Sequence, residues 1–294
     1  MIQLLLQIQA CRFIQGWTET KNKVDVSFVL SSDRIYICQD SSADNKTVQE
    51  GLPIDFLFFV IAFVSEIIGA VAGFGSSTIF LPLALILVDF KTALILVAIS
   101  HLFGNLGRIG FFRHGLDKTM IITFGIPSIL LSFIGAFIVD ELSQESLKTI
   151  LGIFLVIISV LFLLRPGLKF PTNVTTIITG GAISGLITGL VGTGGALRAT
   201  FLTGFNLEKT RYIATAAVIA LSTDATRVPI YVYQGFLLEN YYYYIPILFT
   251  SAIVGSYIGR KIVDRINQKI FRKVVLMAII LVSILFIIQG MQLL

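Results

Sequence analysis

Several polar side chains in this sequence stand inside long apolar runs, where each needs a function or a buried partner. His101, Asn105 and Arg108 recur at i, i+4 and i+7, the spacing that puts three side chains on one helix face. Asp224 and Arg227, at i and i+3, share a face in a second run, and Arg198 follows a glycine cluster in a third. The clusters themselves carry chemistry: Gly73, Gly75, Ser76 and Ser77 in GAVAGFGSS, and Gly192, Thr193, Gly194 and Gly195 in GLVGTGG. Glycines break a helix, and the free N–H groups of the helix that restarts point forward with its dipole behind them, which suits an anion. The hydroxyls of Ser76, Ser77, Thr78 and Thr193 add donors, and guanidinium groups can grip paired oxygens in bidentate fashion. His101 and Asp224 are the groups suited to carrying a proton. Plainer readings stand beside these. The glycines would serve close helix packing, Arg108 and Arg227 would snorkel from helix ends, and Asp224 would merely pair with Arg227. Charges at membrane depth cost at least about 2.5 kcal/mol each, which favours a functional placement.

The elements that must position these groups follow from the apolar pattern. The chain has 294 residues, 55% hydrophobic and 13% charged, against about 25% charged in soluble domains. Its mean hydropathy is +0.89, so surplus apolar surface must face lipid. The run from Phe56 to Val88 would make a helix about 50 Å long across a hydrocarbon core of about 30 Å, so it breaks at its glycines and restarts near Thr78. Further spans are expected over Ala93–Phe112, Met120–Val139 and Leu147–Leu164, and RPGLKFP from Arg165 to Pro171 ends a half. The run Ile177–Phe205 is again over-long and glycine-broken, and Ile213–Tyr233, Tyr242–Gly259 and Val274–Ile288 complete the set. The expected fold is all-α, with about eight transmembrane helices if each broken run crosses once. Residues 54–170 form a first membrane repeat and 171–294 a second. Residues 1–53, polar and mixed in charge, form a tail that is poorly ordered or peripheral; a translation start near Val48 or Leu52 is the alternative.

The halves agree beyond hydropathy. FKTALILVAISHLFGNLGR lies against EKTRYIATAAVIALSTDATR, matching Lys91 with Lys209, Asn105 with Asp224 and Arg108 with Arg227. IPSILLSFIGAFI from Ile126 lies against IPILFTSAIVGSYI from Ile245. Two halves with paired glycine breaks point to a transporter whose site lies at the repeat interface, with one half rocking against the other. Four crossings per half would leave the halves in one orientation; re-entrant hairpins would change that. Arginine and lysine bias places the segment from Arg260 to Lys273, with Lys91, Lys148, Lys209 and Arg211, in the cytoplasm. Arg113, Lys118, Arg165 and Lys169 would face the other side, and both termini would be non-cytoplasmic.

Other classes find no support in the residues. There is no HExxH, GxSxG or paired-carboxylate motif for an enzyme, and Cys11 and Cys38 form no metal-binding pattern, so no metal or cofactor is expected. GAVAGFG lacks the GK[ST] of a phosphate loop. The net charge of +5 sits in clusters between apolar runs, which fits membrane topology and not nucleic acid. Tyr241 to Tyr244 fit an interfacial aromatic belt. The expected partners are a small anionic substrate and membrane lipid, with self-association left open. A cation or proton-coupled carrier using Asp224 and unwound carbonyls is the rival reading, and a membrane assembly protein is another.

GFGSSTIFLPLAL (Gly73 to Leu85) and GLVGTGGALRATFL (Gly189 to Leu202), each opening a half, resemble the paired motifs of the TauE/SafE family of sulfite exporters. The resemblance covers about Ile54 to the C terminus. It implies a multi-spanning plasma-membrane permease for sulfite, organosulfonates or similar small anions, with Gly73, Gly75, Gly192, Gly194 and Gly195 along the path. The first motif departs from the family, which often has consecutive glycines where this chain has Ser76 and Ser77.

Overall fold

The structure is a computed structural model that describes residues 26–30, 34–39, 47–72, 75–111, 115–165, 171, 173–203, 209–262 and 268–291. The chain divides into two compact units, Met1–Val60 and Ile61–Leu294. In the first, strands β1 (Val26–Leu30), β2 (Arg34–Gln39) and β3 (Thr47–Pro53) form an antiparallel meander in the order β1-β2-β3. Val26 pairs with Gln39, Gln39 pairs with Thr47, and the register slips between Arg34 and Tyr36. This short sheet lies within the segment set apart as a tail, ahead of the all-α membrane part. VSFVL and RIYICQ are β-branched and aromatic runs, short enough for strands, and three of them suffice to pair.

From Ile54 on, the described elements are helical: α1 (Ile54–Ala72), α2 (Ser77–Ala84), α3 (Phe90–Phe111), α4 (Lys118–Thr123), α5 (Gly125–Ile138), α6 (Gln144–Leu164), α7 (Val174–Val191), α8 (Gly195–Thr203), α9 (Lys209–Tyr233), α10 (Tyr244–Ile262) and α11 (Gln268–Met291). Six stretches among the described residues are long and apolar enough to cross a membrane: Ile54–Val71, Phe90–Phe111, Lys118–Glu141, Gln144–Leu164, Val174–Val191 and Arg211–Tyr233. Caps mark helix starts near the ends of the bundle. Asp117, Ser143 and Asn173 each accept the backbone N–H three residues on, satisfying a donor that has no helical partner. The span expected over Met120–Val139 is interrupted at Phe124, because Pro127 lacks the N–H that would bond Thr123. Leu130, Ile157 and Leu281 are exposed on the outside of the helices, as lipid requires.

The two broken runs fold back on themselves and do not cross as one helix. Gly75 and Gly192 take left-handed φ of +88° and +76°, open only to glycine without strain. Ser76 returns to the side of Gly69, so closely that a Cβ there would meet its backbone. In the second run Ser184 Oγ donates to Gly194 O at 3.1 Å, and the Phe201 ring lies against Gly180. Each run is thus a helical hairpin, α1–α2 or α7–α8, which enters and returns.

Contacts at the helix ends fix the directions. At one end Phe90 N–H donates to Gln144 Oε1 at 3.1 Å, Lys91 pairs with Asp140 at 2.6 Å, and Lys91 Nζ lies 5.0 Å from the Phe236 ring centre. At the other end Arg211 pairs with Asp117 at 3.3 Å, and Asp117 N–H donates to Thr215 Oγ1 at 3.0 Å. Helices α5 and α7 run parallel, with Gly181, Gly185 and Gly189 against the backbones of Phe124, Ser128 and Ser132. From Ile61 on, α1 runs parallel to α10 in the same manner, with Gly255 against Glu66 and Gly259 against Ala70. Helices α3 and α9 are antiparallel, and so are α6 and α11, where Gly152 meets Ser283 and Ile287. These directions overturn the expected sidedness of the basic residues. Lys91 and Lys148 lie at the end of the bundle opposite Arg260, whereas Lys118 and Arg165 lie at the same end as Arg211 and Arg260. The cause is that the hairpins do not cross, which reverses every later count.

Candidate functional site

The starts of the two half-helices α2 and α8 meet in the middle of the bundle. Thr78 Oγ1 lies 2.9 Å from Thr193 Oγ1, and a Cβ on Gly75 would stand 3.8 Å from Gly195 Cα. At α2 the N–H groups of Ile79 and Phe80 both donate to Ser76 O, and the Ser76 side chain makes no capping bond. At α8 the first N–H to find a helical partner is that of Arg198, which donates to Gly194 O at 3.0 Å. Two converging helix N-termini leave a positive backbone field between them.

A cavity of about 100 Å³ adjoins this junction. Its walls include Gly75, His101, Asn105 and Gly195 in the middle of the bundle, and it extends past Arg108 and Arg198 to Tyr212, Ser256 and Arg260 near the end that carries Arg211. A single water needs about 10–15 Å³ on this measure, so several waters or one small oxyanion can enter.

The charges around the cavity fall into two kinds. Asp224 and Arg227 are sealed, each wholly buried: Arg227 Nε donates to Asp224 Oδ1 at 2.9 Å, its terminal nitrogen pairs with the same oxygen at 2.8 Å, and Nη1 donates to Thr188 O at 3.0 Å. Arg227 therefore does not snorkel, and neither residue lines the cavity. Arg108, at the cavity wall, pairs with buried Glu66 and donates to Asn105 Oδ1 at 3.0 Å. Glu66 also accepts the Ser256 hydroxyl at 2.6 Å. Arg198 is different. It is only 5% exposed and lines the cavity, yet among the described residues no hydrogen bond or ion pair engages its guanidinium.

His101 faces both ways. Its Nδ1 lies 2.7 Å from Asp224 Oδ2, a carboxylate already held by Arg227 and approached at 3.3 Å by Asn105 Nδ2, so Nδ1–H donates. Its Nε2 is buried, has no partner among the described residues, and would lie 3.5 Å from a Cβ on Gly75.

Of the residues expected to form the site, the structure brings Gly75, Asn105, Arg108, Gly195, Arg198 and His101 to one cavity. Ser76, Ser77, Thr193 and Gly194 are buried at the junction, while Gly192 turns the chain against Leu81 and Leu94. Gly73 lies outside the described residues. Glu66, Tyr212, Ser256 and Arg260 were missed. Glu66 carried a readable signal, since it is a carboxylate within the first apolar run and obeys the same depth argument as Asp224. Ser256 and Tyr212 carried none, because hydroxyl groups are common in such helices.

A bundle of apolar helices around a buried cationic cavity, fed by two glycine-turned hairpins, belongs to the class of multi-spanning membrane transport proteins. The family described as Sulfite exporter TauE/SafE matches residues 57–286, and the chain belongs to it. No curated protein matches the sequence.

Proposed function

We propose that this chain is a plasma-membrane permease that carries sulfite, an organosulfonate or a related small oxyanion. The observation that supports it most is Arg198, a buried guanidinium facing a cavity and engaged by no hydrogen bond or ion pair among the described residues. Such a charge is costly to hold empty and is matched by an anion, whose paired oxygens it can engage in bidentate fashion. The converging starts of α2 and α8 supply backbone N–H groups from the other side of the cavity. Glu66 and Asp224 are each tied to an arginine, which weakens the rival reading of a cation carrier.

The membrane part reads as two inverted repeats. Pairing of α5 with α7 and of α1 with α10 exchanges partners between halves, and the middle and last helices pair antiparallel with their counterparts, as an in-plane two-fold relation would require. On this reading the full crossings are α3, α4–α5, α6, α9, α10 and α11, with the two hairpins between them. Lys118, Arg165, Arg211, Arg260 and Lys261 then share one face against Lys91 and Lys148 on the other, which makes the first face cytoplasmic and puts the end of α11 outside. The cavity extends toward the cytoplasmic face, so the conformation is inward-facing, and transport requires the halves to rock.

Flux of sulfite, methanesulfonate and chloride into proteoliposomes tests this reading, with wild type set against Arg198→Ala and Arg198→Lys. Saturable flux of an oxyanion that collapses in Arg198→Ala supports it. Equal flux in both proteins, or none of any anion in wild type, removes it.

A further inference from the structure

We propose that His101 binds the anion only when its ring is doubly protonated, so that one proton travels with each anion. This rests on the permease reading and adds its coupling. The argument begins at Nδ1. Asp224 accepts from Arg227 Nε at 2.9 Å and pairs with the Arg227 terminal nitrogen at 2.8 Å, and its other oxygen, 2.7 Å from His101 Nδ1, takes the hydrogen bond of an Nδ1–H. Gain and loss of a proton therefore take place at Nε2.

Nε2 is the atom that faces the ligand. It is buried, His101 as a whole is 3% exposed, and no described residue partners it. It points to the gap between Gly75 and Gly195, where the two half-helices start. In the neutral ring Nε2 offers a lone pair, which repels an oxyanion. In the protonated ring it offers an N–H, which binds one. The groups around the ring make the two events mutually dependent. Arg198 from α8 lines the same cavity, as do Arg108, paired with Glu66, and Arg260 from α10. Glu66 from α1 is occupied by Arg108, Asp224 from α9 is occupied by Arg227 and Nδ1, and Tyr212 is the remaining titratable group on the wall. Helix α2 brings no charge. An anion in the cavity offsets the imidazolium, and the imidazolium completes the anion's contacts. The proton enters at Nε2 from water on the open face and leaves to water on the other. Asp224 acts as a positioning residue, through Nδ1.

The experiment uses the full chain in proteoliposomes containing a trapped pH-sensitive dye, with methanesulfonate, sulfate and sulfite as probes. The first two keep a constant charge between about pH 5.5 and about pH 8.5, so any pH dependence belongs to the protein. We expect proton movement in step with anion flux, and an apparent affinity that falls up to about tenfold per pH unit as pH rises. His101→Gln is expected to lose the proton movement and the pH dependence. Anion flux in wild type without proton movement overturns the proposal, and this readout needs no variant to fold. Proton-coupled flux retained in His101→Gln also overturns it. If sulfite alone is carried, the comparison with His101→Gln decides. Absence of flux for all three probes instead removes the permease reading on which the proposal stands.

Discussion

Arg198 and Arg227 are both buried arginines on the second half of the chain, and the structure predicts opposite consequences for removing them. Arg198→Ala deletes a charge that no hydrogen bond or ion pair engages among the described residues, and Asp224 keeps its own pairing with Arg227. The empty protein should therefore unfold at the same temperature as wild type or higher. Arg227→Ala strands Asp224, which is wholly buried and keeps hydrogen bonds only with His101 and Asn105 among the described residues, so the loss should be about 3–5 kcal/mol. Anion binding should respond the other way. A bidentate contact supplies two charge-assisted hydrogen bonds of about 1.5–3 kcal/mol each, and since they are not additive a loss of about 3–4 kcal/mol is a fair expectation. That is roughly a 150- to 700-fold weaker affinity. Thermal unfolding in detergent, with and without sulfite or methanesulfonate, reads both quantities. Ligand at about 100 times its dissociation constant stabilises wild type by about 2.7 kcal/mol, and Arg198→Ala should show almost none of this. The reasoning is refuted if Arg198→Ala unfolds as readily as Arg227→Ala while keeping the anion-induced shift.

Other variants probe the frame. Glu66→Gln removes the counter-charge of Arg108 and weakens the Ser256 bond; stability should fall by about 1–3 kcal/mol and flux with it, measured by unfolding and transport. Gly185→Ala forces a methyl group into the Ser128 carbonyl oxygen and should cost about 1–3 kcal/mol, while Gly110→Ala, where a Cβ meets nothing within 4 Å, should unfold like wild type. In a chain without Cys11 and Cys38, Ala217→Cys on the cavity wall should react with a membrane-impermeant thiol reagent applied at the face that carries Arg260, cytoplasmic on the proposed reading, and sulfite or methanesulfonate should slow it. Leu130→Cys, on the outside of α5, should stay unlabelled.

Much of this was legible because hydrocarbon leaves few choices. Runs too long for one crossing had to break, the breaks had to fall on glycine, and α2 begins within a residue of the expected restart near Thr78. His101, Asn105 and Arg108 share a face as their spacing requires, and the face meets the cavity. What spacing could not reveal was the direction of the chain after each break. A left-handed residue at Gly75 or Gly192 turns a continuing helix into a hairpin, and that choice depends on what packs behind it: Ser76 on Gly69, Gly194 on Ser184. The error then spread to sidedness. The N-terminal strands were missed for another reason, since short apolar stretches between polar ones carry no long-range sign of their partners.

The matching of residues between the halves also misdirected attention, and the structure suggests why. On the inverted-repeat reading Arg108 and Arg227 take equivalent places, and each ties its helix to a hairpin, Arg108 through Glu66 on α1 and Arg227 through Thr188 O on α7. Both are struts, which explains why both halves need one. The groups that face the cavity with an unused valence are the unmatched ones. By the same alignment that pairs Asn105 with Asp224, His101 falls opposite Ala220, and GFGSSTIFLPLAL in the first half holds no charge to match Arg198. On the proposed reading, a site between two rocking halves binds one ligand and not two, so its ligand-facing charges would not follow the symmetry of the scaffold. Within such a pair of repeats, the residues that repeat should be read first as architecture, and the residues that break the repeat as chemistry. Removing the unmatched groups by Arg198→Ala or His101→Ala should accordingly leave the fold standing and abolish oxyanion binding, whereas Arg108→Ala and Arg227→Ala should each weaken the fold.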